Sequence, residues 1–129
     1  MILSSYRNKI KEYEIDFEYS IRIPEELKFL DSDISAILTN GIENAVYAVS
    51  LLEKEKRKIK MDLRMSNDKL LISIKNTYAE KPRIINGLPQ AKERGHGFGT
   101  QSICYITEKL KGNCQFTADE EYFILRIVL

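Results

Sequence analysis

The sequence contains no tryptophan, and its two cysteines, Cys104 and Cys114, have neither metal-ligand nor redox spacing. That excludes a disulfide framework and a zinc ribbon, and the pair reads as reduced core thiols. Three prolines and six glycines are too few for a Pro/Gly/Ser linker, and no repeat or low-complexity segment is present. No apolar run approaches the length of a membrane span; the longest, Tyr122 to Leu129, is interrupted by Arg126. The first residues lack the apolar core of a signal peptide. A formal net charge of +1 gives no overall field that favours nucleic acid or an anionic membrane, so neither is expected as a direct partner. What remains, 129 residues with 43% hydrophobic and 30% charged side chains, suits one globular domain with a real core.

The elements follow from periodicity. Met1 to Glu12 reads as a short polar helix, or as the end of a longer one. Ile15, Phe17, Tyr19, Ile21 and Ile23 alternate with polar residues, which predicts a strand with one buried face, ended by Pro24. Asp31, Ser32 and Asp33 are helix N-cap candidates. Beyond them Ile34, Ile37, Leu38, Ile42, Ala45, Val46, Val49 and Leu52 recur at helical spacing. The charged run Glu53 to Lys58 reads as a solvated helix end. Residues 59–65 and 70–75 alternate about a Ser66–Lys69 turn and predict a hairpin. Asn76 to Arg94 has no period and reads as a long loop, of a length that is usually functional. Thr100 to Lys111 is a second amphipathic helix, with Gly112 as its stop. A last hairpin turns around Asp119-Glu120-Glu121. Five strands with one buried face each, and two helices to cover it, predict a two-layer α/β sandwich with a mixed, mostly antiparallel sheet.

Two short stretches carry chemistry. In Asn40-Gly41-Ile42-Glu43-Asn44-Ala45 the side chains of Asn40, Glu43 and Asn44 stand at i, i+3 and i+4 and share a helix face. Their oxygens suit a hard cation such as Mg²⁺, which keeps waters and takes phosphate oxygens as further ligands. A plain solvated helix face fits the same residues. Gly41 costs helix stability and admits a close approach to the backbone. Gly95-His96-Gly97-Phe98-Gly99 offers bare N–H groups at a helix N-terminus, where the dipole favours phosphate. A flexible loop end fits it equally. It is neither a P-loop, lacking GK[ST], nor a dinucleotide fingerprint, lacking a strand that runs into it.

Combined with the element order, the two stretches resemble the Bergerat-fold ATPases (the GHKL superfamily of gyrase, Hsp90, MutL and the histidine kinases). Asn40 to Ala45 matches the N box, Lys75-Asn76-Thr77 stands at the G1 box, Gly95 to Gly99 matches the G2 box, and the loop between the last two matches the ATP lid. The chain looks most like the catalytic, ATP-binding domain of sensor histidine kinases, and within them the AgrC-like quorum-sensing branch, with its short lid, no clear F box and Asn for the G1 Asp. That resemblance implies ATP and Mg²⁺ as cofactors and assigns residues 13–129 to the catalytic domain and 1–12 to the tail of a preceding dimerisation helix.

Residue by residue, the resemblance makes Asn44 the Mg²⁺-binding residue. It puts Asn40 where hydrolysing members carry a general-base Glu, so that ATP is kept for transfer to a protein. Glu43 would polarise or position the acceptor. Asn76 would read the adenine amino group. Gly95, His96, Gly97, Phe98 and Gly99 would wrap the phosphates, with Lys92 and Arg94 as γ-phosphate contacts and Thr100 in place of the usual apolar residue. Tyr47 falls where a charged residue is common; it either faces the nucleotide or caps the core, and packing is the favoured reading. The glycines of the usual G1 form are missing after Asn76. His96 is the single histidine, but the acceptor of a histidine kinase sits on a separate helical hairpin.

The implied activity is therefore transfer of the γ-phosphoryl group to a histidine on a dimerisation domain of the same kinase, with a response regulator downstream. It places this chain in the cytoplasmic part of a membrane-anchored sensor and leaves it unable to complete autophosphorylation alone. Two other readings are an anti-sigma-type serine kinase that sequesters a partner, and a degenerate member that keeps the fold without nucleotide.

Overall fold

A computed structural model describes residues 3–90 and 98–129. Helix α1 spans Leu3–Glu12, and strand β1 Asp16–Arg22. Helix α2, Asp31–Ser50, leads through a 3₁₀ turn at Lys54–Lys56 into strands β2, Lys58–Ser66, and β3, Lys69–Thr77. Two short strands follow, β4 at Ile84–Ile85 and β5 at Leu88–Pro89. Helix α3, Phe98–Lys109, and strands β6, Asn113–Ala118, and β7, Tyr122–Val128, complete the chain.

The main sheet runs β1-β2-β3-β7-β6. Only the β1–β2 pair is parallel, Phe17 lying beside Ile59; β2–β3, β3–β7 and β6–β7 are antiparallel. The expected mixed two-layer sandwich is thus observed. Its alternation is strict. Ile59, Met61 and Leu63 on β2, Leu70, Ile72 and Ile74 on β3, and Leu125, Ile127 and Leu129 on or just after β7 are buried, under Ile34, Ile37, Leu38, Ile42, Val46 and Val49 of α2 and Ile103 of α3. Burial of such aliphatics, at about 25 cal/mol per Å² of apolar surface, is what holds the layers together. Lys60, Asp62, Ser73, Lys75 and Arg126 alternate onto the other face. No helix among the described residues is long and apolar enough to cross a membrane.

Several local expectations are corrected. β1 is an edge strand, and its apolar face is not uniformly covered: Tyr19 is 60% exposed, its ring tilted on that of Phe17 at 5.7 Å. The N-cap of α2 is Leu30, which makes no side-chain cap bond. Asp33 is instead buried in the first turn and receives a hydrogen bond from Lys109 Nζ at 2.7 Å, tying the start of α2 to the end of α3. In the charged run after α2, Arg57 is not a solvated charge. Its guanidinium donates to the carbonyls of Leu52, Tyr13 and Ser50 at 2.9, 2.5 and 3.3 Å, closing the C-terminal end of α2 with a cation where the dipole favours one. The long irregular loop contains the β4–β5 hairpin, which turns on Asn86 and Gly87 with φ of 53° and 79°, the conformation that Asn-Gly favours.

The end of α3 also differs from expectation. Lys111, with φ 60°, takes the left-handed position usually given to glycine. Lys111 N–H donates to Glu108 O and Gly112 N–H to Thr107 O, each at 2.9 Å, which is a Schellman cap one residue ahead of the glycine. Gly112 is needed for another reason: a Cβ there would lie 2.5 Å from the Val128 carbonyl and from Leu129 Cδ2. The thiols of Cys104 and Cys114 lie 3.9 Å apart on α3 and β6. Burial, reinforced by Cys104, pushes the Cys114 thiol up to about 12. Gly112→Ala is expected to cost about 1–3 kcal/mol, the usual penalty of overpacking, in urea denaturation, whereas Lys111→Gly is expected to lose nothing.

Candidate functional site

The close packing of α2 on the sheet begins at Gly41. A Cβ at this position would lie 2.6 Å from Ile74 Cδ1 and 3.3 Å from Leu125 Cδ2. The approach that Gly41 admits is therefore that of the sheet itself. With Gly41, Ile42 and Ala45 facing inward, the next face of α2 carries Asn40, Glu43 and Asn44. Asn40 is half-buried and donates from Nδ2 to the Ala36 carbonyl at 2.8 Å, so its Oδ1 is the atom left for other contacts.

That oxygen faces the start of α3. A Cβ on Gly99 would stand 3.4 Å from Asn40 Oδ1, 3.2 Å from Asn44 Oδ1 and 3.5 Å from Asn44 Nδ2. The last glycine of the second stretch thus sits directly against the two asparagines of the first. The first turn of α3 has N–H groups without helical acceptors, and this is where it meets α2. Lys92, Arg94, Gly95, His96 and Gly97 lie outside the described residues, and the side chain of Phe98 does too.

Asn44, Asn76 and Thr100, from α2, β3 and α3, line one cleft of about 510 Å³, within the range of small-molecule sites. Asn76 is 3% exposed, and its Nδ2 donates to the Thr77 carbonyl at 2.8 Å. The rest of its amide, Oδ1, is a pure acceptor. Thr77 in turn donates from Oγ1 to Lys56 O at 2.8 Å and accepts from the Lys58 N–H at 3.1 Å, which fixes the end of β3 beneath the cleft. Thr100 is buried.

Sequence reasoning missed most of the apolar walls. Tyr47, for which the sequence favours packing, lines the cleft with Ala48 of α2 and Leu51, the C-cap of that helix. Tyr78, Pro82 and Pro89 supply the opposite wall and Phe123 of β7 another. Phe123 stacks on Phe116 with ring centroids 6.0 Å apart, and the Tyr78 hydroxyl donates to the Asp119 carbonyl. The Asn86-Gly87 pair was the available signal that the loop folds back as a hairpin. Glu43 does not line the cleft; it is exposed, one residue before Asn44, with Oε1 accepting from the Tyr6 hydroxyl at 3.0 Å.

No cluster of three or more His, Cys, Asp or Glu that could hold a metal occurs among the described residues. The donor set at the α2–α3 junction is one of amide oxygens, which suits a hard cation that brings its own waters and anionic ligands and does not suit zinc or copper.

Residues 30–129 match the family of GHKL domains. No curated protein sequence matches the chain. Among solved structures, the nucleotide-free catalytic domain of the histidine kinase ThkA superposes with a TM-score of 0.78 at 19% identity, over 99% of this chain and 87% of that one. The mycobacterial sensor histidine kinase MprB gives 0.74 at 16% identity, over 99% and 90%. Full-length ShkA in complex with AMPPNP gives 0.73 at 15% identity, over 98% and 27%. The fold described above is that of histidine kinase catalytic domains, and by the match over residues 30–129 the chain belongs to the GHKL domain family.

Proposed function

We propose that this chain is the ATP-binding catalytic domain of a two-component sensor histidine kinase. It transfers the γ-phosphoryl group of Mg-ATP to a histidine on a separate dimerisation domain, from which a response regulator is charged. The observation that carries the reading is the contact of Gly99 with Asn40 and Asn44 at the edge of the cleft that also holds Asn76. It supports a reading in which a cation-holding amide, a phosphate-binding helix start and a base-reading amide serve one ligand. That a kinase with this fold holds AMPPNP in its solved structure supports the same assignment.

In this reading the apolar walls of Tyr47, Leu51, Tyr78 and Phe123 sandwich the base. Asn76 offers Oδ1 to the adenine amino group, because its Nδ2 is committed to the Thr77 carbonyl. Asn44 holds Mg²⁺, which when bound neutralises phosphate charge. Asn40 is an amide that takes up no proton at neutral pH, so it does not activate water, and ATP is spared for the protein acceptor. Glu43, one residue before Asn44, orients the acceptor imidazole. Gly95, Gly97 and Gly99 wrap the phosphates, with Lys92 and Arg94 on the γ-phosphate. Helix α1 is the tail of the dimerisation helix, the sensor is membrane-anchored, and the short segment between Asn76 and Gly95 together with the G1 asparagine supports a place in peptide quorum sensing.

The test mixes the folded chain with Mg-[γ-³²P]ATP and a purified dimerisation hairpin carrying the candidate histidine. Acid-labile label on the hairpin is expected; failure of the folded chain to bind a fluorescent ATP analogue with Mg²⁺ overturns the assignment. Gly99→Val is expected to weaken Mg-ATP binding by about tenfold or more, since it forces α3 off the asparagines at the roughly 1–3 kcal/mol typical of overpacking. Asn76→Asp, although Asp is the commoner residue in the superfamily, is expected to bind ATP more weakly than the wild type by about 1–3 kcal/mol, because it leaves the Thr77 carbonyl without its donor and facing a carboxylate. GTP, which presents a carbonyl to Asn76 Oδ1, is expected to bind more weakly than ATP. Both comparisons are read by isothermal titration calorimetry.

A further inference from the structure

Helix α1 makes one polar contact with the face of α2 that carries the proposed chemistry. Its Tyr6 is 8% exposed, and its ring belongs to the core cluster, while its hydroxyl reaches Glu43, the residue before the cleft-lining Asn44. There Oη donates to Glu43 Oε1 at 3.0 Å. Burial first, and then the Glu43 carboxylate, holds the Tyr6 phenol neutral up to about 12, so the donor is present throughout the physiological range. Glu43 itself is exposed, and an exposed glutamate samples several rotamers unless something fixes it.

We infer that Tyr6 is a positioning residue. It fixes the Glu43 carboxylate by one oxygen and leaves the other, Oε2, aimed for the acceptor imidazole. This rests on the role of Glu43 under the proposed function and adds to it: phosphotransfer then requires α1 to be seated on α2, although no described residue of α1 lines the cleft. The geometry favours positioning over restraint because only one carboxylate oxygen is engaged and the phenol ring is anchored in the core. A side chain so held acts as a fixed donor, which lowers the entropy lost when the imidazole docks.

The test compares the wild type, Tyr6→Phe, Glu43→Gln and the double variant in the labelled transfer to the dimerisation hairpin. Phe keeps the ring in the core, so folding is retained and is checked by thermal melting. Tyr6→Phe is expected to lower the transfer rate about tenfold, the worth of a hydrogen bond to a charged group, with unchanged affinity for Mg-ATP. In the Glu43→Gln background the same change is expected to have no further effect, which a purely structural role of Tyr6 does not produce. A wild type that transfers no label overturns the kinase assignment itself. Impaired Glu43→Gln with a wild-type rate for Tyr6→Phe overturns this inference alone, as does a Tyr6→Phe variant faster than the wild type, or one whose loss persists in the double variant.

Discussion

The close seating of α2 on β3 is the constraint on which the rest depends. Gly41 lies on Ile74 and Leu125 with no room for a methyl group. Two residues later on β3, Asn76 ends the strand's buried row, and one turn later on α2, Asn44 faces the cleft. The spacing between those two amides is therefore set by a contact that neither of them makes. A bulkier residue at position 41 would lift α2 and widen the cleft along its whole length, so a packing glycine has functional reach. The same seating keeps Asn40 and Asn44 level with the start of α3.

Around this contact the polar groups are arranged with little redundancy. Asn40 and Asn76 each spend their N–H₂ on a nearby carbonyl, Ala36 and Thr77 respectively. The consequence is chemical: anchoring Nδ2 fixes which way each amide is turned, and the carbonyl oxygen is on the side away from the anchored nitrogen. A site rich in asparagine would otherwise be ambivalent, since an amide donates as readily as it accepts. Backbone carbonyls thus set the orientation of both amides without any charged residue.

The main elements were legible in the sequence because they rest on strong periodicity: period two in β2, β3 and β7, helical spacing in α2; that Gly99 meets Asn40 and Asn44 followed instead from the family resemblance. What escaped was set by tertiary context. Tyr19 alternates correctly, yet it sits on an edge strand that no helix covers. Asp33 has the identity of a cap, but an ion pair with Lys109, distant in sequence, draws it into the first turn. Arg57 lies within a run of charges and only the fold shows three carbonyls converging on it. The Lys111 cap runs against glycine preference, since Gly112 is reserved for the approach of Val128. In the cleft, the asparagines and Gly99 announced themselves through chemistry, while Tyr47, Tyr78 and Phe123 did not, because an aromatic that lines a ligand site has the same pattern as one that fills a core. The contact between Tyr6 and Glu43 joins residues 37 positions apart, and no local pattern encodes it.

Helix α3 is held unequally at its two ends. At its C-terminal end Lys109 is bound to Asp33 at 2.7 Å and the Schellman cap locks the exit into β6. At the other end the helix meets α2 through a glycine, which offers no side chain to grip. Mechanically, α3 is a beam fixed at its exit by an ion pair and a cap and seated at its start by backbone packing against the two asparagines. A side chain at position 99 would therefore act as a lever about the fixed exit, and the Ile103 side chain that α3 drives into the core would move with it.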